Sequence, residues 1–196
     1  GYPVEGYETP YGRAQLVLIY DSSKVPNPPK NLAELEVFIK ENPGKFTYPA
    51  PPDYTGSAFV RNIMYMRSGG YEQLMNMKEE DLASKLVPTW EFLNSLKPYL
   101  WREGKTYPAN IGQLDSMYAD GEVWMSMTYS PLKPAGDVMN GIFPKTTKTF
   151  VLEEGTISNT SFLAIPNNAS NKGGAMIVAD FMTSFESQLS KLDPNN

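Results

Sequence analysis

The chain has no cysteine and no histidine among its 196 residues. Without cysteine there are no disulfides, no thiolate metal sites and no thiol nucleophile; without histidine the commonest general base and transition-metal ligand are gone. Most enzyme templates fall with them. No run approaches the 18 or so consecutive apolar residues that a membrane-spanning helix needs. Nor is there a basic block: 17 Lys and Arg are scattered among 22 Asp and Glu, a formal net charge of -5, which argues against a nucleic-acid backbone as partner. Internal repeats and low-complexity segments are missing too, which speaks against an adhesive or structural array. Gly1-Tyr2-Pro3-Val4-Glu5 shows neither an initiating Met nor a basic-then-apolar signal pattern, so the chain reads as a processed or excised piece.

What remains is 41% hydrophobic and 12% aromatic, enough for a real core. Ala14-Gln15-Leu16-Val17-Leu18-Ile19-Tyr20 is a near-continuous aliphatic run that suits one strand buried on both faces. Asn31 and Glu34 form a capping-box pair ahead of Leu32, Leu35, Phe38 and Ile39 at helical spacing, and Pro43-Gly44 closes that helix. Lys45 to Tyr48 reads as a short strand. Gly56 to Tyr71 reads as a helix broken by Gly69-Gly70. Trp90, Leu93, Leu96, Leu100 and Trp101 share one face of a further helix that Pro98 should kink.

Asn110 with Gln113 marks another helix start, Leu114 and Met117 fall on one face, and Gly121 stands where a glycine C-cap belongs. Glu122 to Tyr129 alternates as a strand, with Thr149 to Leu152 and Ser161 to Ile165 as two more. Asn171 to Leu192 predicts one long closing helix with Ala175, Val178, Phe181, Met182, Phe185 and Leu189 inward. Strands alternating with helices predict an α/β fold, three layers deep, on a mixed, mostly parallel sheet. Ligands then sit beyond the carboxyl ends of strands.

The candidate site residues cluster at such ends. Thr55, Gly56 and Ser57 stand at a helix start, where free amides and the helix dipole favour an anionic group, and Gly56 permits close approach. Simple capping by Asp53 or Thr55 explains the same residues. Tyr54 suits stacking on a ring or a cation, and Asp53 suits a positive charge. A solvated acid and an aromatic packed on Pro51 or Pro52 account for them equally. Strand alternation puts Trp124, Ser126 and Thr128 on one face; Trp124 reads as core, whereas Thr128, Tyr129 and Ser130 end the strand as cleft residues. Asp21 and Ser22, past the first long strand, form a weaker group. No cofactor or metal is expected: calcium-loop spacing and an adjacent tyrosine pair are both missing, and the ten methionines read as core filler. The Asn-x-Ser/Thr matches at Asn159 and Asn168 matter only in a eukaryotic secretory setting.

Three ordered segments carry a resemblance. "AQLVLIYDSSKVPNPPKNLAELEVFIKENPGKFTYPAPPDYTGSAF" is similar to the part of an ABC-transporter substrate-binding protein that leaves the first lobe through a hinge strand and enters the second. "IGQLDSMYADGEVWMSMTYSP" resembles the helix, Gly-Glu turn and strand set against the ligand cleft. "EEGTISNTSFLAIPNNASNKGGAMIVADFMTSFESQ" resembles the return hinge and the helix re-entering the first lobe.

The resemblance implies a type II periplasmic-binding fold of the thiamine, polyamine and ferric-ion group, with residues 1–20 entering from the first lobe, 21–160 forming the second lobe and 161–196 returning. It implies a non-enzymatic, extracytoplasmic receptor, periplasmic or anchored at the cell surface. Such a receptor delivers a small solute, an organic cation such as thiamine or an anion, to a membrane permease. The rival is a hydrolase using a carboxylate pair drawn from Glu34, Glu79, Glu80 and Glu122. Glu34 already serves a helix cap, and Glu79-Glu80 reads as solvated surface.

Overall fold

The computed structural model describes residues 5–75 and 77–193. Along the chain run β1 (Glu8–Gln15), β2 (Val17–Asp21), α1 (Leu32–Glu41), α2 (Tyr54–Ser68), α3 (Glu72–Met75), α4 (Glu79–Lys85), α5 (Val87–Leu96), α6 (Ile111–Ala119), β3 (Met125–Thr128), α7 (Lys133–Met139), β4 (Thr147–Phe150), β5 (Ser158–Ala164), α8 (Lys172–Thr183) and α9 (Phe185–Ser190). The chain divides into a larger compact unit, residues 16–157, and a smaller one built from residues 1–15 and 158–196.

In the larger unit three strands lie in the order β3-β2-β4, with β2 central and antiparallel to both neighbours. The α/β character expected from the alternation holds, but the mostly parallel sheet does not: every ladder among the described residues is antiparallel. β3 and β4 do run in the same direction, with α7 between them. That is the crossover the alternation suggested, and β2 occupies the gap between its two strands. Chain order alone cannot show such an insertion.

The single strand expected over Ala14 to Tyr20 is two strands in two different sheets. β1 pairs with β5, whereas β2 pairs with β3 and β4. At Leu16, between them, the amide donates to the Ile157 carbonyl at 2.9 Å. Val17 to Tyr20 are buried while β1 is half-exposed to exposed, so the hydrophobic run continues across a change of partners.

Helix ends follow local chemistry. The Glu34 amide donates to the Asn31 side chain at 2.9 Å, so the predicted cap forms, while the Glu34 carboxylate reaches one residue further back than a capping box requires and accepts the Lys30 amide at 2.9 Å. Gln113 and Asn110 make the equivalent pair at α6: the Gln113 amide reaches Asn110 at 3.0 Å and Gln113 Oε1 accepts from the Ala109 amide at 2.7 Å. α2 starts two residues before the expected Gly56 and stops at Ser68, where Gly69 takes φ +85°, a left-handed cap without a side-chain penalty. α5 ends at Leu96 and Pro98 lies in the 3-10 turn that follows; Trp90, expected inward, is exposed, while Leu93, Leu96 and Leu100 are buried.

Two further expectations change. Lys45 to Tyr48 belongs to no ladder among the described residues: its carbonyls take single bonds from Trp124 (to Lys45) and Trp101 (to Phe46), each at 2.9 Å. The prolines that follow it, Pro49, Pro51 and Pro52, offer no amides with which to extend a ladder. The strand expected over Glu122 to Tyr129 shortens to β3, whose four residues are all buried, so its alternation separates no wet face. The core gathers Leu16, Leu18, Ile19, Ile39, Phe46, Phe59, Ile63, Leu114, Tyr118 and Met125 around that sheet.

In the smaller unit β1 and β5 form a two-stranded antiparallel ladder, irregular between Pro10 and Gly12. The single closing helix is two helices, α8 and α9, because Ser184 turns extended and caps α9 through the Ser187 amide at 3.2 Å. Val178, Phe181, Phe185 and Leu189, expected inward, are exposed; Phe185 reaches 82%. α8 is apolar around most of its circumference, and a two-stranded ribbon covers only one side of it.

Candidate functional site

The corner from Pro49 to Ser57 is built around Asp53. Its Oδ1 accepts the Gly56 amide at 2.9 Å, and its Oδ2 accepts the Ile111 amide at 3.1 Å. One carboxylate therefore caps α2 and α6 together. Gly56 does serve close approach, but to the chain itself: a Cβ there would stand 2.0 Å from the Pro49 carbonyl oxygen. Thr55 is buried and Ser57 half-buried, and the Ser57 amide closes the first helical bond to the Asp53 carbonyl at 2.8 Å. The amides of Tyr54 and Thr55 make no hydrogen bond among the described residues.

Tyr54, the first residue of α2, is 62% exposed and meets Tyr129 edge to face, with ring centroids 5.0 Å apart and planes at 72°. Tyr129 directly follows β3. Thr128, the last β3 residue, is buried, and its Oγ1 accepts the Ser130 amide at 3.1 Å, which turns the chain outward. Burial pushes the Tyr129 phenol above its ordinary range; the neighbouring Tyr54 pushes the same way, and the Arg61 charge opposes both. Arg61 lies seven residues after Tyr54 and Tyr65 four after Arg61, so helical periodicity puts all three on one face of α2.

This corner sits at one end of the sheet. Thr128 pairs with Val17, and Leu16 and Ile157, the first and last residues of the larger unit, are bonded beside it. Asn62, buried on α2, fixes that end by accepting the Ile157 amide at 2.9 Å.

Asp21 and Ser22 lie at the other end of β2, about 13 Å from Val17 at roughly 3.3 Å per residue. There Asp21 Oδ1 accepts the Ser23 amide at 2.9 Å and the Ser23 hydroxyl at 2.7 Å. Burial alone would raise the Asp21 pKa, but bonds from Thr146 and Ser23 outweigh it and hold the carboxyl below its usual range. The structure thus brings Asp53, Tyr54, Thr55, Gly56, Ser57, Thr128, Tyr129 and Ser130 to one corner and leaves Asp21 and Ser22 outside it.

The candidate catalytic acids do not converge. Glu34 is engaged in the α1 cap, Glu122 Oε2 accepts the Trp101 indole N–H at 3.2 Å, and Glu79 and Glu80 occupy the exposed first turn of α4. Trp124 is half-buried under the Lys45 ammonium, 5.5 Å from the ring centroid, in keeping with a packing role. Asp115 is a buried acid that sequence reasoning missed: it accepts the Ser126 hydroxyl at 2.8 Å and pairs with Lys133 at 2.8 Å. Burial pushes its carboxyl up. Lys133, also bound by Asp137, is held above its ordinary range despite partial desolvation. Among the described residues no three of the acids cluster closely enough to hold a metal ion.

The model of the family described as bacterial extracellular solute-binding protein matches residues 1–193. The chain belongs to this family. Protein YnjB of Escherichia coli K12 is 36% identical over 193 residues, 98% of this chain and 50% of that protein. Among solved structures, an ABC transporter protein from Clostridium perfringens aligns with TM-score 0.65 at 21% identity, over 94% of this chain and 52% of that one. The spermidine/putrescine ABC transporter substrate-binding protein of Streptococcus pneumoniae aligns with TM-score 0.69 at 16% identity, over 98% and 52%. A periplasmic thiamin binding protein aligns with TM-score 0.64 at 16% identity, over 100% and 53%. The chain spans about half the length of these relatives, and it shares the type II periplasmic-binding fold that its sequence resembles.

The sequence reading singled out neither Arg61, Tyr65 nor Asn62, although the signal for the first two was present. Once Tyr54 is taken as the start of α2, Arg61 and Tyr65 follow at helical spacing. The reading began the helix at Gly56, which breaks that phase.

Proposed function

We propose that the protein is the extracytoplasmic solute-binding component of an ABC importer, which captures a small molecule and delivers it to a membrane permease. Its solute contacts in this chain are Tyr54, Thr55, Ser57, Tyr129 and Ser130. The observation that carries this is the Tyr54–Tyr129 pair: an exposed aromatic at a helix start meets the residue that ends a central-sheet strand, at the end of the sheet where the larger unit begins and ends. Beside it are two helix-start amides without partners among the described residues, which suit an oxygen-bearing group. Family membership and the named neighbours support the receptor reading over a hydrolase. No described helix is long and apolar enough to cross a membrane.

On the same reading the smaller unit, residues 1–15 and 158–196, carries the crossings to a first lobe and the larger, 16–157, is the second lobe, so β2 belongs to the second lobe and not to the crossing expected over residues 1–20. The exposed apolar residues of α8 and α9 are then a surface on which the rest of the first lobe packs.

The test is thermal unfolding of the full-length protein with candidate solutes, because a ligand bound only by the fold raises apparent stability. Tyr54→Ala and Tyr129→Ala should abolish the stabilisation by a solute while leaving the melting of the free protein little changed. Solute binding that survives both substitutions would place the site elsewhere.

A further inference from the structure

At the Tyr54–Tyr129 corner the charges do not balance. The acid beside the pair, Asp53, gives one carboxylate oxygen to the Gly56 amide and the other to the Ile111 amide. Each of these amides belongs to a helix N-terminus, whose partial positive charge favours the carboxylate, so both Asp53 oxygens are satisfied within the chain. Arg61 has no such compensation. It is exposed on the Tyr54 face of α2 and forms neither an ion pair nor a hydrogen bond among the described residues.

Lys133, four residues after Tyr129, is held between Asp115 and Asp137. Besides burial, Tyr54, Arg61 and Tyr65 act on the Tyr129 phenol, the Arg61 charge opposing the others. An exposed guanidinium, unpaired among the described residues, therefore shares a helix face with the Tyr54 ring that meets Tyr129, while the Tyr65 ring lies edge to face with Tyr71, centroids 6.2 Å apart. A guanidinium presents paired N–H donors that match a carboxylate, sulfate or phosphate, and the phenol hydroxyls can donate to the same oxygens.

We infer that the solute carries an anionic group, carboxylate, sulfate or phosphate, received by Arg61, while the Tyr54 and Tyr129 rings cover its uncharged part. This rests on the proposed solute site and decides its charge. An organic cation at the corner would face the Arg61 charge, and the Asp53 carboxylate already has both oxygens engaged.

The experiment uses the full-length protein and its Arg61→Gln, Arg61→Lys and Tyr129→Ala variants. The probes are inorganic phosphate, phenyl phosphate and 4-hydroxybenzoate, set against spermidine and thiamine at equal ionic strength and read by calorimetric titration. At least one anion should bind. Arg61→Gln should weaken it by about tenfold or more, the scale of one lost charge-assisted bond, and Arg61→Lys by less. Binding of the cations alone, no binding by any anion, or anion binding unchanged in Arg61→Gln overturns the inference. If cation binding is lost in Tyr129→Ala and kept in Arg61→Gln, the site stands and only its charge is wrong; binding that survives Tyr129→Ala as well as both Arg61 variants removes the site itself.

Discussion

Asp53 and Ile111, 58 residues apart in sequence, are joined by a 3.1 Å hydrogen bond from the Ile111 amide to the carboxylate that also caps α2. The starts of two helices are thereby held by one side chain. Replacing Asp53 with Ala should destabilise the protein by about 1–3 kcal/mol, one cap plus one orphaned amide. Asp53→Asn should fall between, since its amide nitrogen cannot accept the second bond. Urea unfolding measures both, and an unchanged midpoint for Asp53→Ala would leave the carboxylate without its structural role.

Gly56 sets two effects against each other. Helix propensity favours Ala over Gly by about 1 kcal/mol, but a Cβ at this position would stand 2.0 Å from the Pro49 carbonyl oxygen. The clash involves backbone on both sides and cannot relax by a rotamer change, so Gly56→Ala should lower the melting temperature. At Gly173 in α8 the nearest atom to a Cβ is Asn171 Oδ1 at 3.9 Å, an ordinary contact, and Gly173→Ala should stabilise by up to about 1 kcal/mol. Opposite signs in paired thermal scans are the expected result.

Asn62 accepts the Ile157 amide at the end of the sheet nearest the proposed site. Asn62→Ala leaves that amide without its partner beside a buried gap and should cost about 1–3 kcal/mol. Hydrogen exchange should quicken at Ile157 before it quickens in β3. Uniform quickening across the sheet would show that Asn62 supports the whole unit rather than this end of it.

Lys133 yields a pH dependence. Its folded-state pKa is raised because Asp115 and Asp137 favour the ammonium over the desolvation that opposes it. Such a group contributes stability fully below its ordinary value of 10.5, and that contribution is lost as pH rises through the raised value. Lys133→Met should therefore be less stable than the parent at pH 7, by up to about 1 kcal/mol for a partly exposed pair. The gap should close at strongly alkaline pH. A gap independent of pH would assign Lys133 a packing role instead.

How far residues alone reach is visible at the helix starts. Asn31 with Glu34 and Asn110 with Gln113 are legible because a cap and its partner lie three residues apart and need nothing distant. Asp53 was legible only by half: its bond to Gly56 is local, whereas its bond to Ile111 depends on where α6 comes to rest. The Ala14 to Tyr20 run misled for a related reason. Hydrophobicity reports burial, and both halves of the run are strands, but no residue in it names the partner that each half takes.

The composition, the caps, the helix-forming periodicities and the ordered segments that resemble a solute receptor are properties of the sequence, because each depends on residue type or on spacing within a few turns. Strand direction, the break at Leu16, the contact of Pro49 with Gly56 and the meeting of Tyr54 with Tyr129 were decided only in three dimensions. Each joins groups whose separation is set by the packing of the helices between them.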